Sequence, residues 1–352
     1  MDGKAAQSTV SGILDVAKKL GLKLEDCRAI SFDNASVMVG AKTGVQKRLC
    51  ELNEKLVFIN CDNHSLNLAG VHAVECDTSS VTFFDKLKAL FEFFSRNTQR
   101  WNALKTLTAV LSVKGSTDSR WSSRAEAVRA VVLELDAIFA TSEELSTSTD
   151  FTADTRSKAE TLLNVMLTFE FLAYWHFWNA VLRKINVVQV RLQSSSITFT
   201  EAHDELTNLQ LWIEKKSADI PMDAISSSQE LCDLWGIEII EERVRRKKRM
   251  TGEKALDEPL TREDVKKKLL EALETLKEEI ALRSERLKEI NNRFGIFLRP
   301  SELTKVSQEE VLRKRPSTWA TNTDGTSTEQ SLWGRWMISS MCCDRKKSHH
   351  RL

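Results

Sequence analysis

The stretch "AISFDNASVMVG", residues 29–40, decides how the amino-terminal part of the chain folds. Ala29, Ile30 and Phe32 form a short apolar run of the kind that makes a buried strand, and Asp33 falls where that strand should end. A loop of small and polar residues follows. Upstream, "AAQSTVSGILDVAKKLGL" carries Val10, Ile13, Leu14, Ala17 and Leu20 at helical spacing, with Gly21 as a stop. Downstream, "TGVQKRLCELN" presents Val45, Leu49 and Leu52 as one helical face. A second apolar run, "LVFINC", reads as a strand ending at Cys61, and "HSLNLAGVHAV" opens another helix. Helices alternating with single strands predict a parallel or mixed sheet under helical cover.

From about residue 80 the periodicity is helical only. "FFDKLKALFEFFSRNTQRWNALKTL" shows a stripe through Phe84, Leu87, Leu90, Phe91 and Phe94. After the Gly-Ser-Thr break at 115–117, "SRWSSRAEAVRAVVLELDAIF" reads as a helix. One or two long helices are expected over 152–193, with Phe169, Phe171, Trp175, Phe177 and Trp178 as bundle core. Further helices are expected at 198–216, 227–246 and 261–293. The fold class is thus mostly α with a small α/β part. The expected organisation is an α/β part over 1–79, an all-helical part over 80–300 and an irregular, disordered tail over 301–352.

Composition narrows the function classes. The 352 residues include only 4 Pro and 12 Gly, which favours a helical chain. A net charge of +1 excludes a molecule that attracts nucleic acid as a whole, so such contacts must come from local basic patches. Seven cysteines without disulfide spacing predict a reducing interior. No apolar run approaches the roughly 20 residues that span a bilayer, so no membrane partner is expected.

Several residues could carry chemistry. Asp33, at a strand end and followed by Asn34, Ala35 and Ser36, could ligate Mg²⁺ through carboxylate oxygen; the commoner role at such a position is for Asp33 or Asn34 to cap a turn or helix start. One carboxylate alone does not hold the paired ions of phosphoryl chemistry. Cys61, His64, His72 and Cys76 have zinc-ligand types. Three of them would share one helix, an awkward geometry for a tetrahedron, so zinc is not expected and packed, hydrogen-bonded side chains are. Arg-Trp pairs at 100–101 and 120–121 could stack a base and touch a phosphate, or simply pack a helix end. "RVRRKKR", 243–249, is either a nuclear localisation or phosphate-contacting run, or a solvated helix end.

In combination and in order, "DGKAA", "FDNASVMVGAKTGVQKRL", "FINCDNHSLNLAGVHAV", "RWNALKTL" and "STDSRWSSRAEAVRAV" resemble the hAT-type transposase family, in its domesticated zinc finger MYM-type branch. "LQSSSITFTEAHDELTNLQLWI" and "RVRRKKR" extend the similarity to about residue 300. The resemblance implies an RNase H-like core interrupted by a large all-α insertion. It makes Asp33 the second acid of an Asp-Asp-Glu triad that holds Mg²⁺, and Cys61 and His64 the Cys-x-x-His motif beside that site. Arg120 and Trp121 become the Arg-Trp motif at the start of the insertion. Arg243, Arg245, Arg246, Lys247, Lys248 and Arg249 become a basic patch available to DNA.

The sequence also departs from the family pattern. The first acid belongs on a strand upstream of a "DGKAA"-like stretch; with the chain starting at Met1, that strand is expected to be missing, leaving an incomplete RNase H-like sheet. Asp2 stands in the wrong place to substitute. After "INNRFGIFL", the late acids Glu309, Glu310, Glu329 and Asp344 lie in no matching motif, and the family's dimerisation region is expected to be absent. The expectation is a transposase-derived, catalytically inactive protein that binds nucleic acid or protein, in the nucleus rather than the cytoplasm. No cofactor is expected, with Mg²⁺ relevant only to a functional ancestral site. The alternatives are an active Mg²⁺-dependent transposase or nuclease, or a truncated gene product without function.

Overall fold

A computed structural model describes residues 2–32, 35–40, 42–107, 121–194, 197–241 and 260–298. The chain is mostly helical with a small parallel sheet. The described residues cluster into two units, the first within Met1–Leu66, Leu192–His203 and Glu285–Leu352, the second within Asn67–Arg191 and Asp204–Ser284. The expected tail over 301–352 lies outside the described residues.

The first unit begins with α1 (Asp2–Lys19), which ends one residue before the Leu20-Gly21 turn; Gly21 sits at φ 68°, a conformation glycine adopts without a Cβ penalty. Strand β1 (Ala29–Phe32) leads to a short helix α2 (Ser36–Val39), where the sequence had predicted loop. Helix α3 (Val45–Leu52) then returns the chain to β2 (Val57–Asn60). The strands pair in parallel, in the register Ala29↔Val57 through Phe32↔Asn60. Between α2 and α3 the backbone turns so tightly that a Cβ on Gly44 would lie 2.5 Å from the Gly40 nitrogen, so this position requires glycine.

The core of this unit is small: Ala6 and Val10 of α1, Val45 and Leu49 of α3, and Leu56, with Ile30, Phe32 and Val37 packed against them. Buried Asn53 holds the connections in place. Its Nδ2 donates to the carbonyls of Leu24 (2.7 Å) and Cys27 (2.8 Å), and its Oδ1 accepts from the Lys55 N–H at 3.0 Å. One side chain thereby satisfies three groups that a loop would otherwise bury unpaired.

The second unit takes up the chain within α4 (Asp62–Glu75) and is helical throughout its described residues. It contains α5 (Thr78–Ser95), α6 (Thr98–Leu107), α7 (Trp121–Thr147), α8 (Ala153–Met166), α9 (Phe169–Leu192), most of α10 (Phe199–Lys216), α11 (Asp219–Trp235) and the first part of α12 (Arg262–Leu298). Side-chain caps start these helices: Asp77 for α5, Asn97 for α6, Thr152 for α8, and a reciprocal Thr261–Asp264 box for α12. Helix α9 is buried on most of its surface, as its aromatic sequence predicts. Phe171 packs on Phe83 with ring centroids 5.3 Å apart, and Trp178 on Phe84 at 5.5 Å.

Helix α11 differs from the expected 227–246. It starts earlier, because Pro221 in its first turn costs no hydrogen bond, and stops at Gly236, which takes the left-handed conformation at φ 66°. The Gly236 N–H and the Ile237 N–H, the latter at 2.9 Å, both return to the Cys232 carbonyl and close the helix.

Candidate functional site

Three places in the described structure bring chemistry-bearing side chains together. The first is the carboxyl edge of the β1–β2 pair. Parallel strands place both of their carboxyl ends on one edge, and in open α/β sheets that edge is where sites are built. Here the Cys61 N–H donates to the Phe32 carbonyl at 3.1 Å, extending the ladder by one bond. The Cys61 carbonyl accepts from the Ser65 N–H at 2.9 Å, so the chain passes directly from strand into α4. Cys61 and His64 are both half-buried, and Cys61 forms no disulfide.

Asp33, which follows Phe32 in sequence, lies outside the described residues, as do Arg120, Arg243, Arg245, Arg246, Lys247, Lys248 and Arg249. Trp121 opens α7. His72 pairs through Nδ1 with Glu279 Oε1 at 3.1 Å, and the exposed Cys76 thiol donates to the Ala73 carbonyl at 3.2 Å. Among the described residues, no group of three or more His, Cys, Asp or Glu side chains could hold a metal ion.

The second place is a buried polar cluster at the start of α5. Asp77, 5% exposed, accepts from the N–H groups of Ser79 (3.1 Å) and Ser80 (3.0 Å) and from the Tyr174 hydroxyl. The Lys268 ammonium donates to Asp77 Oδ1 at 3.0 Å and to Ser79 Oγ at 2.8 Å. Burial opposes ionisation of Asp77, but the Tyr174 hydroxyl, Lys268 and the Ser79 N–H outweigh it and hold the carboxyl below its ordinary range. The same burial, with the adjacent carboxylate, pushes the Tyr174 phenol well up, so it stays protonated and donates.

A serine 2.8 Å from a lysine could in principle be an activated nucleophile, provided the lysine is neutral enough to take its proton. Here Lys268 is the donor both to Asp77 Oδ1 at 3.0 Å and to Ser79 Oγ, the reverse of a base that takes the serine proton. The cluster is therefore a fixed lock joining α5, α9 and α12. The sequence reading missed it. "CDTSSVTFF" carries a capping signal at Asp77, but its partners stand 97 and 191 residues away.

The third place is an open groove of about 570 Å³ in the second unit. It is lined by Glu134, Leu135 and Asp136 of α7, Trp175 of α9, and Leu231 and Trp235 of α11, among others. Helix α7 breaks at Glu134, whose φ of −129° and ψ of 21° leave the helical range. Trp235 meets Phe139 edge-on with centroids 5.0 Å apart, which fixes the indole at the groove wall.

Comparison with protein-family models, with curated proteins and with solved structures finds no match to this chain. Fold and sites together define a mostly α-helical protein with a small parallel α/β layer. Among the described residues, no helix is long and apolar enough to cross a membrane.

Proposed function

We propose that this chain is a transposase-derived binding protein of the hAT type, with an RNase H-like core interrupted by a helical insertion and without strand-transfer activity. The observation that carries the reading is the parallel pairing of Phe32 with Asn60, which turns the carboxyl ends of both strands to one edge. The hAT resemblance asks for its second acid directly after the first strand and its Cys-x-x-His motif directly after the second. The sequence supplies Asp33 after Phe32, and Cys61 with His64 after Asn60. Within the matched stretches Asp33 is the only acid of the triad with a counterpart. One carboxylate gives a pair of Mg²⁺ ions neither affinity nor registration, so the matched residues by themselves support binding rather than cleavage.

DNA is the ligand favoured by local charge. Arg243, Arg245, Arg246, Lys247, Lys248 and Arg249 concentrate six cations in a chain of net charge +1, and the same run suits nuclear import. Arg120 and Trp121 add a second contact of the phosphate-plus-stacking kind.

The test is duplex-DNA binding by the full chain across a salt series. If all six cations of the run meet phosphates, the slope of log K against log salt approaches about −5, and neutralising the run flattens it. A slope near zero overturns DNA binding and leaves a protein partner. A nicking and strand-transfer assay with Mg²⁺ is expected to show no product for the wild type or Asp33→Ala. Activity lost in Asp33→Ala would overturn the inactive assignment.

A further inference from the structure

We propose that Lys23 is an acceptor for a small ubiquitin-like modifier. The modifier arrives as a thioester on a conjugating enzyme that reads an aliphatic side chain directly before the lysine and a carboxylate two residues after it. "LKLE", residues 22–25, has that pattern in Leu22, Lys23 and Glu25. The pattern recurs at one other place, "LKEE" at 276–279, and the structure separates the two.

Lys23 follows the left-handed turn at Gly21 and stands at φ −100° and ψ 131°, an extended backbone. Short linear motifs are commonly read in that form. Lys23 and Glu25 are both exposed, and neither side chain has a hydrogen bond or ion pair among the described residues. Leu22 is half-buried and stands outside the core of the first unit. Glu25 lies in a single 3₁₀ turn, Leu24–Asp26. The Asp26 N–H closes it on the Lys23 carbonyl at 3.1 Å, and the Cys27 N–H on the Leu24 carbonyl at 2.9 Å. Straightening the tetrapeptide gives up those two bonds and the Asn53 bond to Leu24, a local opening rather than unfolding of the unit.

Lys277 lacks each of these features. It sits in the middle of α12 and is paired with Glu274 Oε1 at 2.7 Å. Leu276 is 1% exposed, and Glu279 is tied to His72. Presenting that tetrapeptide would mean pulling buried Leu276 out of the bundle. At Lys23 the reaction is an acyl transfer. The ammonium loses one proton to solvent, and the amine attacks the thioester carbonyl. An amide C–N bond forms, the C–S bond breaks, and the enzyme's sulfur leaves as a thiol with the second proton.

The test incubates the full chain with ATP, the modifier, its activating enzyme and the conjugating enzyme, and maps adducts by tryptic mass spectrometry. One modifier is expected on Lys23. Lys23→Arg, an exposed substitution that keeps the charge, is expected to remove that adduct. Glu25→Gln is expected to slow its formation about tenfold, the loss of one charge-assisted contact. Lys277→Arg is expected to change nothing. Absence of an adduct at Lys23 would overturn the proposal. So would a Lys23 adduct that forms equally fast in Glu25→Gln, or modification of Lys277 in preference to Lys23. None of these outcomes bears on DNA binding by the basic run, so this site and the proposed function stand or fall separately.

Discussion

Replacing Asp77 by alanine tests the polar lock directly. The substitution strips the acceptor from two backbone N–H groups at the start of α5, from the Tyr174 hydroxyl and from the Lys268 ammonium. Loss of an N-cap alone costs about 1 kcal/mol. Tyr174 is fully buried, and stranding its hydroxyl adds about 1–3 kcal/mol. Lys268 is about a quarter exposed and can turn partly toward water, which limits its share. The contributions overlap, and removing one partner of a buried ion pair typically costs about 3–5 kcal/mol in all; that is the expected loss for Asp77→Ala. Asp77→Asn retains one acceptor oxygen and should lose roughly half as much.

The chain contains a single tyrosine, Tyr174, which makes the measurement specific. Biosynthetic 3-fluorotyrosine gives one ¹⁹F resonance, and its disappearance in a urea titration reports unfolding of the second unit alone. That matters because a chain of two units need not unfold in one step. The pH dependence provides an independent check. The Asp77 carboxyl titrates below its unfolded value, so its contribution is fully present above about pH 4 and is lost as pH falls through the folded pKa. Wild type and Asp77→Ala should therefore converge in stability on acidification. A loss for Asp77→Ala below about 1 kcal/mol, or parallel pH profiles, would refute the lock.

Two further substitutions probe the fold. Gly236→Ala places a Cβ at φ 66° where nothing lies within 4 Å, so its cost is backbone strain alone, about 1–2 kcal/mol, read as a lower urea midpoint of the ¹⁹F signal. Leu49→Ala opens a cavity in the small core of the first unit, where Leu49 is 0% exposed, and should cost about 2–5 kcal/mol. Hydrogen exchange at the β1–β2 amides is the suitable readout, with protection expected to fall while the fluorotyrosine transition stays unmoved. Unchanged protection would show that this core does not hold the sheet.

Much of the molecule follows from sequence alone, because the signals involved are local. The apolar runs "AISF" and "LVFINC" flanked by amphipathic helices predict two strands in a parallel or mixed sheet, and the aromatic face of 169–178 predicts the bundle core. Each depends on periodicity within a few residues, which the chain carries wherever it folds. Helix ends are harder to read. Gly236 ends α11 because its backbone adopts a left-handed turn, and the charged, periodic residues beyond it had suggested continuation.

Only the tertiary structure decides which distant residues meet. Nothing near Asp77 in the sequence announces Tyr174 or Lys268, yet their meeting sets the ionisation of Asp77 and Tyr174 and ties three helices together. The carboxylate-and-indole groove likewise needs three helices, with α7 broken at Glu134, before its residues become neighbours. At the opening stretch, sequence identifies the strand and the acid after it, while the in-register pairing of Phe32 with Asn60 is what turns the ends of both strands to one edge. The physical reason is the same in each case: propensity and periodicity are properties of neighbouring residues, whereas pairing, burial and charge coupling act between surfaces that exist only once the chain has packed.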